Sequence, residues 1–156
     1  RLYEGANGVI ATDLTKRKIV GSNGKLAELL AREVRNFVDT LPASSKANAY
    51  REAFLQLTSK VESVNAALVY QAKDAPDLAG AVAIPVCHLF GLWALAYMWM
   101  RMVDAAGRSK KDSDFIGGKL KTARFFFSFC VPEADLLVTR FNAGCGIPMS
   151  LTEEEF

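Results

Sequence analysis

The sequence predicts an all-α fold, an antiparallel helix bundle of about five helices. Three observations carry this expectation. Apolar residues recur at steps of three and four through most of the 156 residues. No segment alternates apolar and polar residues over the length of a strand. Only five prolines interrupt the chain, so long helical stretches can persist. Apolar residues make up 51% and charged residues 23%, which suits a packed core and excludes a disordered chain.

The elements follow in order. Residues 8–20 form a modest helix with Val9, Ile10, Leu14 and Ile19 as apolar members. Gly21-Ser22-Asn23-Gly24 stops it, with the left-handed geometry expected at the glycines. A second helix spans about 25–40, and its apolar stripe is Leu26, Leu29, Leu30, Val34, Phe37, Val38 and Leu41. Glu28 and Arg32 are spaced for an ion pair on its wet side. Pro42 ends it, and Ser44 or Ser45 can cap a third helix over about 46–72. The third stripe, Tyr50, Phe54, Leu57, Val61, Val64 and Leu68, suits antiparallel bundle packing.

Asp77 is placed to cap a fourth helix over about 78–106, with Gly107 at its C-terminal cap. A fifth starts near Ser113 and carries Leu120, Ala123, Phe126, Phe127 and Cys130. Pro132 kinks it or starts a new helix, and Leu136, Leu137 and Phe141 extend the apolar face to Gly144. The remainder, 145–156, is expected to be extended or frayed.

The fourth helix poses a choice. Residues 81–103 contain one arginine and are long enough to cross a membrane. The reading taken is a core helix, apolar on nearly all sides, because the other stripes need a partner. No membrane is therefore expected. This run also accounts for much of the mean hydropathy of +0.12.

Composition narrows the chemistry. Cys87, Cys130 and Cys145 are too scattered for a disulfide framework or a cysteine-based zinc site, and no metal is expected. The single histidine, His88, excludes most metal and triad chemistry, and its place in an apolar helix reads as a hydrogen-bonded core histidine. Trp93, Tyr97, Trp99 and the 125–129 phenylalanine cluster read as packing. Arg108, Lys110, Lys111, Lys119, Lys121 and Arg124 form a basic stretch diluted by Asp112 and Asp114. A solvated loop explains it better than contact with phosphate, and nucleic acid is the weaker reading at a net charge of +2.

The sharpest motif lies at the start. Leu2-Tyr3-Glu4-Gly5-Ala6-Asn7-Gly8-Val9 resembles the active-site signature of the acyl-CoA dehydrogenases. In that family a Tyr-Glu-Gly-Thr-Asn-Gly-Ile-Gln type stretch carries the catalytic glutamate. Ala6 stands where threonine is usual, and Ala11-Thr12-Asp13-Leu14 continues the match. His88-Leu89-Phe90-Gly91 with Trp93, Trp99 and Arg101, then residues 119–127 with Pro132-Glu133, resemble the helical extension of the larger members. The nearest group is the 3-methylmercaptopropionyl-CoA dehydrogenase-like branch.

The resemblance implies a function. Glu4 would be the general base that takes a proton from the carbon beside a thioester carbonyl. Glu4 and Gly5 would bind the acyl-CoA substrate, and the Glu4 N–H would help hold the thioester oxygen. Ala6, Asn7 and Gly8 would contact FAD, which accepts a hydride, and the electrons would pass on to an electron-transfer flavoprotein. Residues 1–22 would end the catalytic core, 23–145 would form the extension bundle, and 146–156 a tail. The chain thus reads as a cytoplasmic piece of a longer, homo-oligomeric enzyme, inactive alone and structural in role. The alternative is a non-catalytic helical interaction module.

Overall fold

A computed structural model of the chain describes residues 6–109, 113–146, 150 and 152–155. Every element among them is helical, as expected.

The first helix, α1 (Asn7–Thr12), runs on without a break into a π-helical stretch, Asp13–Ile19, and a 3-10 turn, Val20–Ser22. It stops where Asn23 (φ 53°) and Gly24 (φ 77°) turn left-handed. The two glycines were expected there. Gly21 instead stays in the 3-10 turn and Asn23 takes its place, since asparagine tolerates this region better than other side chains do.

Helix α2 (Lys25–Asp39) buries Ala27, Ala31, Val34 and Val38. Leu26, Leu29 and Leu30, expected on the inner stripe, are 51%, 56% and 39% exposed. The apolar residues of α2 form one broad face, and only its alanine-rich half, with Val34 and Val38, packs on the core, where small side chains allow close approach. Its charged contacts cross to the next helix: Arg35 Nε donates to Glu62 at 3.0 Å, and Arg51 pairs with Asp39 at 3.1 Å. The Glu62 carboxylate, hydrogen-bonded to Arg35, holds that guanidinium above its ordinary pKa. Glu28 and Arg32 form no ion pair with each other.

Ser45 caps the next element, its hydroxyl accepting from the Ala47 N–H at 3.2 Å. One 3-10 stretch, Lys46–Tyr50, leads into α3 (Arg51–Gln71). Phe54, Leu57, Val61, Val64 and Leu68 are buried as the spacing predicts. The expected fourth helix is split into α4 (Leu78–Ala81) and α5 (Ala83–Gly107). Pro85 has no N–H to offer the Ala81 carbonyl, so a continuous ladder cannot pass that point. The chain bends at Val82 (φ −94°, ψ 6°), which leaves Pro85 in the first turn of α5, where no donor is needed. Asp77 makes no side-chain cap, and Gly107 remains helical, with Arg108 as the cap residue.

Helix α6 (Ser113–Phe125) continues into a π-helical stretch, Phe126–Cys130. Pro132 then stands at the N-cap of α7 (Glu133–Asn142), and Gly144 (φ 68°) follows its end. Phe126, Phe127, Leu137 and Phe141 are buried, whereas Phe125, Phe129 and Leu136 are exposed. In the tail, Glu153–Glu155 forms a 3-10 turn rather than extended chain, with Glu155 accepting from the Thr152 N–H at 2.9 Å.

Paired positions fix the topology. Asp39 meets Arg51 and Arg35 meets Glu62, while Asn65 reaches Gly24, so α2 and α3 run antiparallel. Phe54 stacks on Tyr97 and Thr58 bonds Trp93, so α3 and α5 do too. Helix α5 packs against the first helix, α3, α6 and α7. It nevertheless keeps an open side. Ile84, Leu95, Met98 and Met102 are 36–54% exposed, and His88 is exposed with them. The expectations of a helix covered on nearly all sides and of a core histidine are both corrected. Only 39% of the helix's most apolar window is buried, although by length and composition it could cross a membrane.

Candidate functional site

Glu4 and Gly5, the catalytic and substrate-binding residues that the motif suggests, lie outside the described residues. The adjoining positions lie at the start of α1. Ala6 is the N-cap, its carbonyl accepting from the Ile10 N–H at 2.9 Å. Ala6, Asn7 and Gly8 are all exposed. Around them runs a shallow cleft of about 390 Å³ lined by Gly8, Val9, Thr12, Asp13, Lys16 and Arg17. All six belong to one helix, so the cleft has a single wall.

Thr12, Asp13 and Arg17 already have partners there. Thr12 Oγ1 donates to the Gly8 carbonyl at 2.8 Å, and Arg17 pairs with Asp13 at 2.9 Å. Among the described residues, no atom of another segment lies within 4 Å of where a Cβ on Gly8 would sit. A flavin needs its ring system enclosed and its polar edges matched. Ala6, Asn7 and Gly8 on this open wall do not fit FAD by themselves.

What this region does well is anchor. Thr15, wholly buried, donates from Oγ1 to the Ala79 carbonyl at 2.7 Å, tying the π-helical stretch to α4. The wider π turn sets the residues that follow it at a different angle. Thr15 carried no sequence signal, because a threonine amid Leu14, Lys16 and Arg17 reads as surface.

The remaining candidates do not converge on a site. His88 stands exposed on α5, far in sequence from the motif. Asp104, only 6% exposed and missed by sequence reasoning, pairs with Arg108 at 2.8 Å. Lys119 sits over Trp99 and Phe115, 5.9 and 5.7 Å from the ring centres. Two members of the basic stretch are thus engaged within the chain, and Lys110 and Lys111 lie outside the described residues.

The helical architecture has a counterpart among known families. Residues 30–152 match the family described as acetyl-CoA dehydrogenase C-terminal like. The chain belongs to this family. No curated protein and no solved structure matches it. The acetyl-CoA dehydrogenase C-terminal-like region takes in most of α2 and all of α3 to α7, together with the Arg35–Glu62 and Asp39–Arg51 pairs and the α3–α5 contacts described above. The Tyr3–Gly8 motif and the first helix lie ahead of it.

Proposed function

We propose that the chain is the C-terminal helical region of an FAD-dependent acyl-CoA dehydrogenase of the extended, 3-methylmercaptopropionyl-CoA dehydrogenase-like type, working in the cytoplasm. The observation that carries this reading is the family match over residues 30–152, downstream of a motif that resembles the one carrying the acyl-CoA dehydrogenase base, with Glu4 at that position. The whole enzyme would convert an acyl-CoA to its 2,3-enoyl form. Glu4 would draw the proton from the carbon beside the thioester carbonyl, and a dry surrounding would raise its pKa toward the working range. FAD and the electron-transfer flavoprotein belong to the whole enzyme. The chain's own part is packing: its helices cover the catalytic core and contribute contacts between subunits.

The test uses the longer protein. It purifies yellow, and an acyl-CoA bleaches its flavin absorbance. Glu4→Gln keeps the colour and lowers turnover by roughly 10²–10⁴-fold, the range for a lost general base. Loss of flavin together with activity would make Glu4 structural. A colourless protein that no acyl-CoA affects sinks the enzyme reading. The exposed leucines of α2 and the open side of α5 favour one second reading, a helical interaction module without a catalytic partner domain.

A further inference from the structure

Thr15 departs from the other helical threonines of the chain. Thr12, Thr58, Thr122 and Thr139 each donate to the carbonyl four residues back, at 2.8–2.9 Å. For Thr15 the carbonyls of its own helix, those of Ala11 and Thr12, lie farther off, at 3.2 Å each. The short bond, 2.7 Å, leaves the helix for the Ala79 carbonyl of α4. A hydroxyl has one proton to give, so the bond to the other element is the one it makes well. Beside it the Lys16 side chain passes over Gly80, where a Cβ would stand 3.8 Å from Lys16 Cε. The tie falls in the π-helical stretch Asp13–Ile19, a rare form that recurs at functional sites.

Two polar anchors therefore hold the first helix to the bundle. Asn65 Nδ2 donates to the Gly24 carbonyl just past its C-terminal end, at 3.3 Å, and Thr15 holds its middle. Two points fix a direction. Ahead of Thr15, among the described residues, no side-chain hydrogen bond ties the helix to another element. Thr12 returns to Gly8, Ala11 is buried but has only a methyl to pack, and Val9 and Ile10 are 71% and 60% exposed. Thr15 is thus the last such tie before the motif that ends at Gly8. Ala6 stands nine residues ahead of it. At helical rise that is about 13 Å, so a tilt of about 5° at Thr15 would move the motif end by about 1 Å. Misplacement on that scale can cost an enzyme about 100-fold in rate.

We propose that Thr15 is a positioning residue for the acyl-CoA dehydrogenase reaction: its bond to the Ala79 carbonyl sets the direction in which the first helix presents the Tyr3–Gly8 motif, and with it Glu4, to the thioester. The inference rests on the reading of Glu4 as the base. Wholly buried, Thr15 acts through the helix rather than on the reacting atoms.

The longer, flavin-bearing protein tests this with Thr15→Val and Thr15→Ser. Valine keeps the shape and removes the hydroxyl; serine keeps the hydroxyl and removes the methyl. Thr15→Val should stay yellow and hold its KM, while kcat falls roughly 10–100-fold. The acid limb of its kcat–pH profile should also move to lower pH, because a Glu4 carboxyl set askew of its dry site returns toward the ordinary carboxylate range. Thr15→Ser should recover most of the rate and the wild-type pH profile. Thr15→Ala lacks the same hydroxyl and serves if the valine variant folds poorly. A role in stability alone would lower the melting temperature of Thr15→Val and leave kcat and the acid limb where they were, which overturns the proposal. So does a serine variant no faster than the valine one. A wild-type protein that no acyl-CoA bleaches removes the function reading and this inference together. One that turns over, with Thr15→Val equally fast, strikes the positioning role alone.

Discussion

Trp93 and Thr58 join the two longest helices at the centre of the bundle. The indole Nε1 donates to Thr58 Oγ1 at 3.0 Å, and that hydroxyl donates onward to the Phe54 carbonyl at 2.8 Å. Both residues are at most 1% exposed, so water cannot replace a lost partner. Thr58→Val keeps the shape and strands the indole N–H, which should cost about 1–3 kcal/mol in denaturant unfolding. Adding Trp93→Phe removes the stranded donor, so the double variant should lose less than the sum of the singles. Additive losses would mean that the bond contributes nothing. Glycines give a second contrast. A Cβ on Gly24 would fall 2.7 Å from Asn65 Nδ2, at φ +77°. Gly24→Ala should therefore cost about 1–3 kcal/mol through backbone strain and loss of the Asn65 bond to the Gly24 carbonyl. Gly91 lies inside α5 with nothing within 4 Å of its Cβ position, and Gly91→Ala should stabilise by about 0.5–1 kcal/mol. Melting temperatures moving in the same direction for both variants would contradict this account.

Helices that bury their whole apolar face were legible in the sequence, and helices that bury only part of it were not. The stripe of α3 was readable from Phe54 to Leu68 because its other face is polar. On α2 the large residues drew the stripe toward Leu26, Leu29 and Leu30, while the core took Ala27 and Ala31. Side-chain size thus pointed one way and packing distance the other. On α5 nearly every position is apolar, so spacing could not mark the open side, and His88 was misplaced with it. The bend at Val82 did have a signal in Pro85, which a continuous helix over 78–106 overlooked. The candidate site divides in the same way. Ala6, Asn7 and Gly8 sit at the start of a helix that the spacing predicts from residue 8, but what a motif binds depends on walls that other segments supply. The exposed and buried halves of the α2 apolar face separate by mutation. Leu26→Lys should change the stability of the monomer by no more than about 0.5 kcal/mol. Val38→Ala, at a fully buried position, should cost about 1–3 kcal/mol. Equal losses in chemical unfolding would mean that both halves are buried.

At the scale of the molecule, the family match and the packed unit do not share a boundary. The match begins at residue 30, inside α2, yet the segment ahead of it is built into the bundle. Ala11, Thr15 and Ile19 are at most 2% exposed, Thr15 is bonded to the Ala79 carbonyl, and the Gly24 carbonyl holds Asn65 of α3. The positive mean hydropathy sharpens the consequence. A chain whose central helix already leaves an apolar side open has little spare polar surface to cover a second one. Removing residues 1–29 would open the α4 and α5 surfaces that the first helix covers and would strip the first turn from α2. Burial of Ile19 alone is worth about 1.5–3 kcal/mol, and the lost bond to Ala79 adds about 1 kcal/mol. The trimmed chain should therefore melt well below the full chain and self-associate through the opened surface. Thermal unfolding of the two lengths, read alongside sedimentation, decides the point. An unchanged melting temperature would make the first helix an appendage and the matched residues the true folding unit.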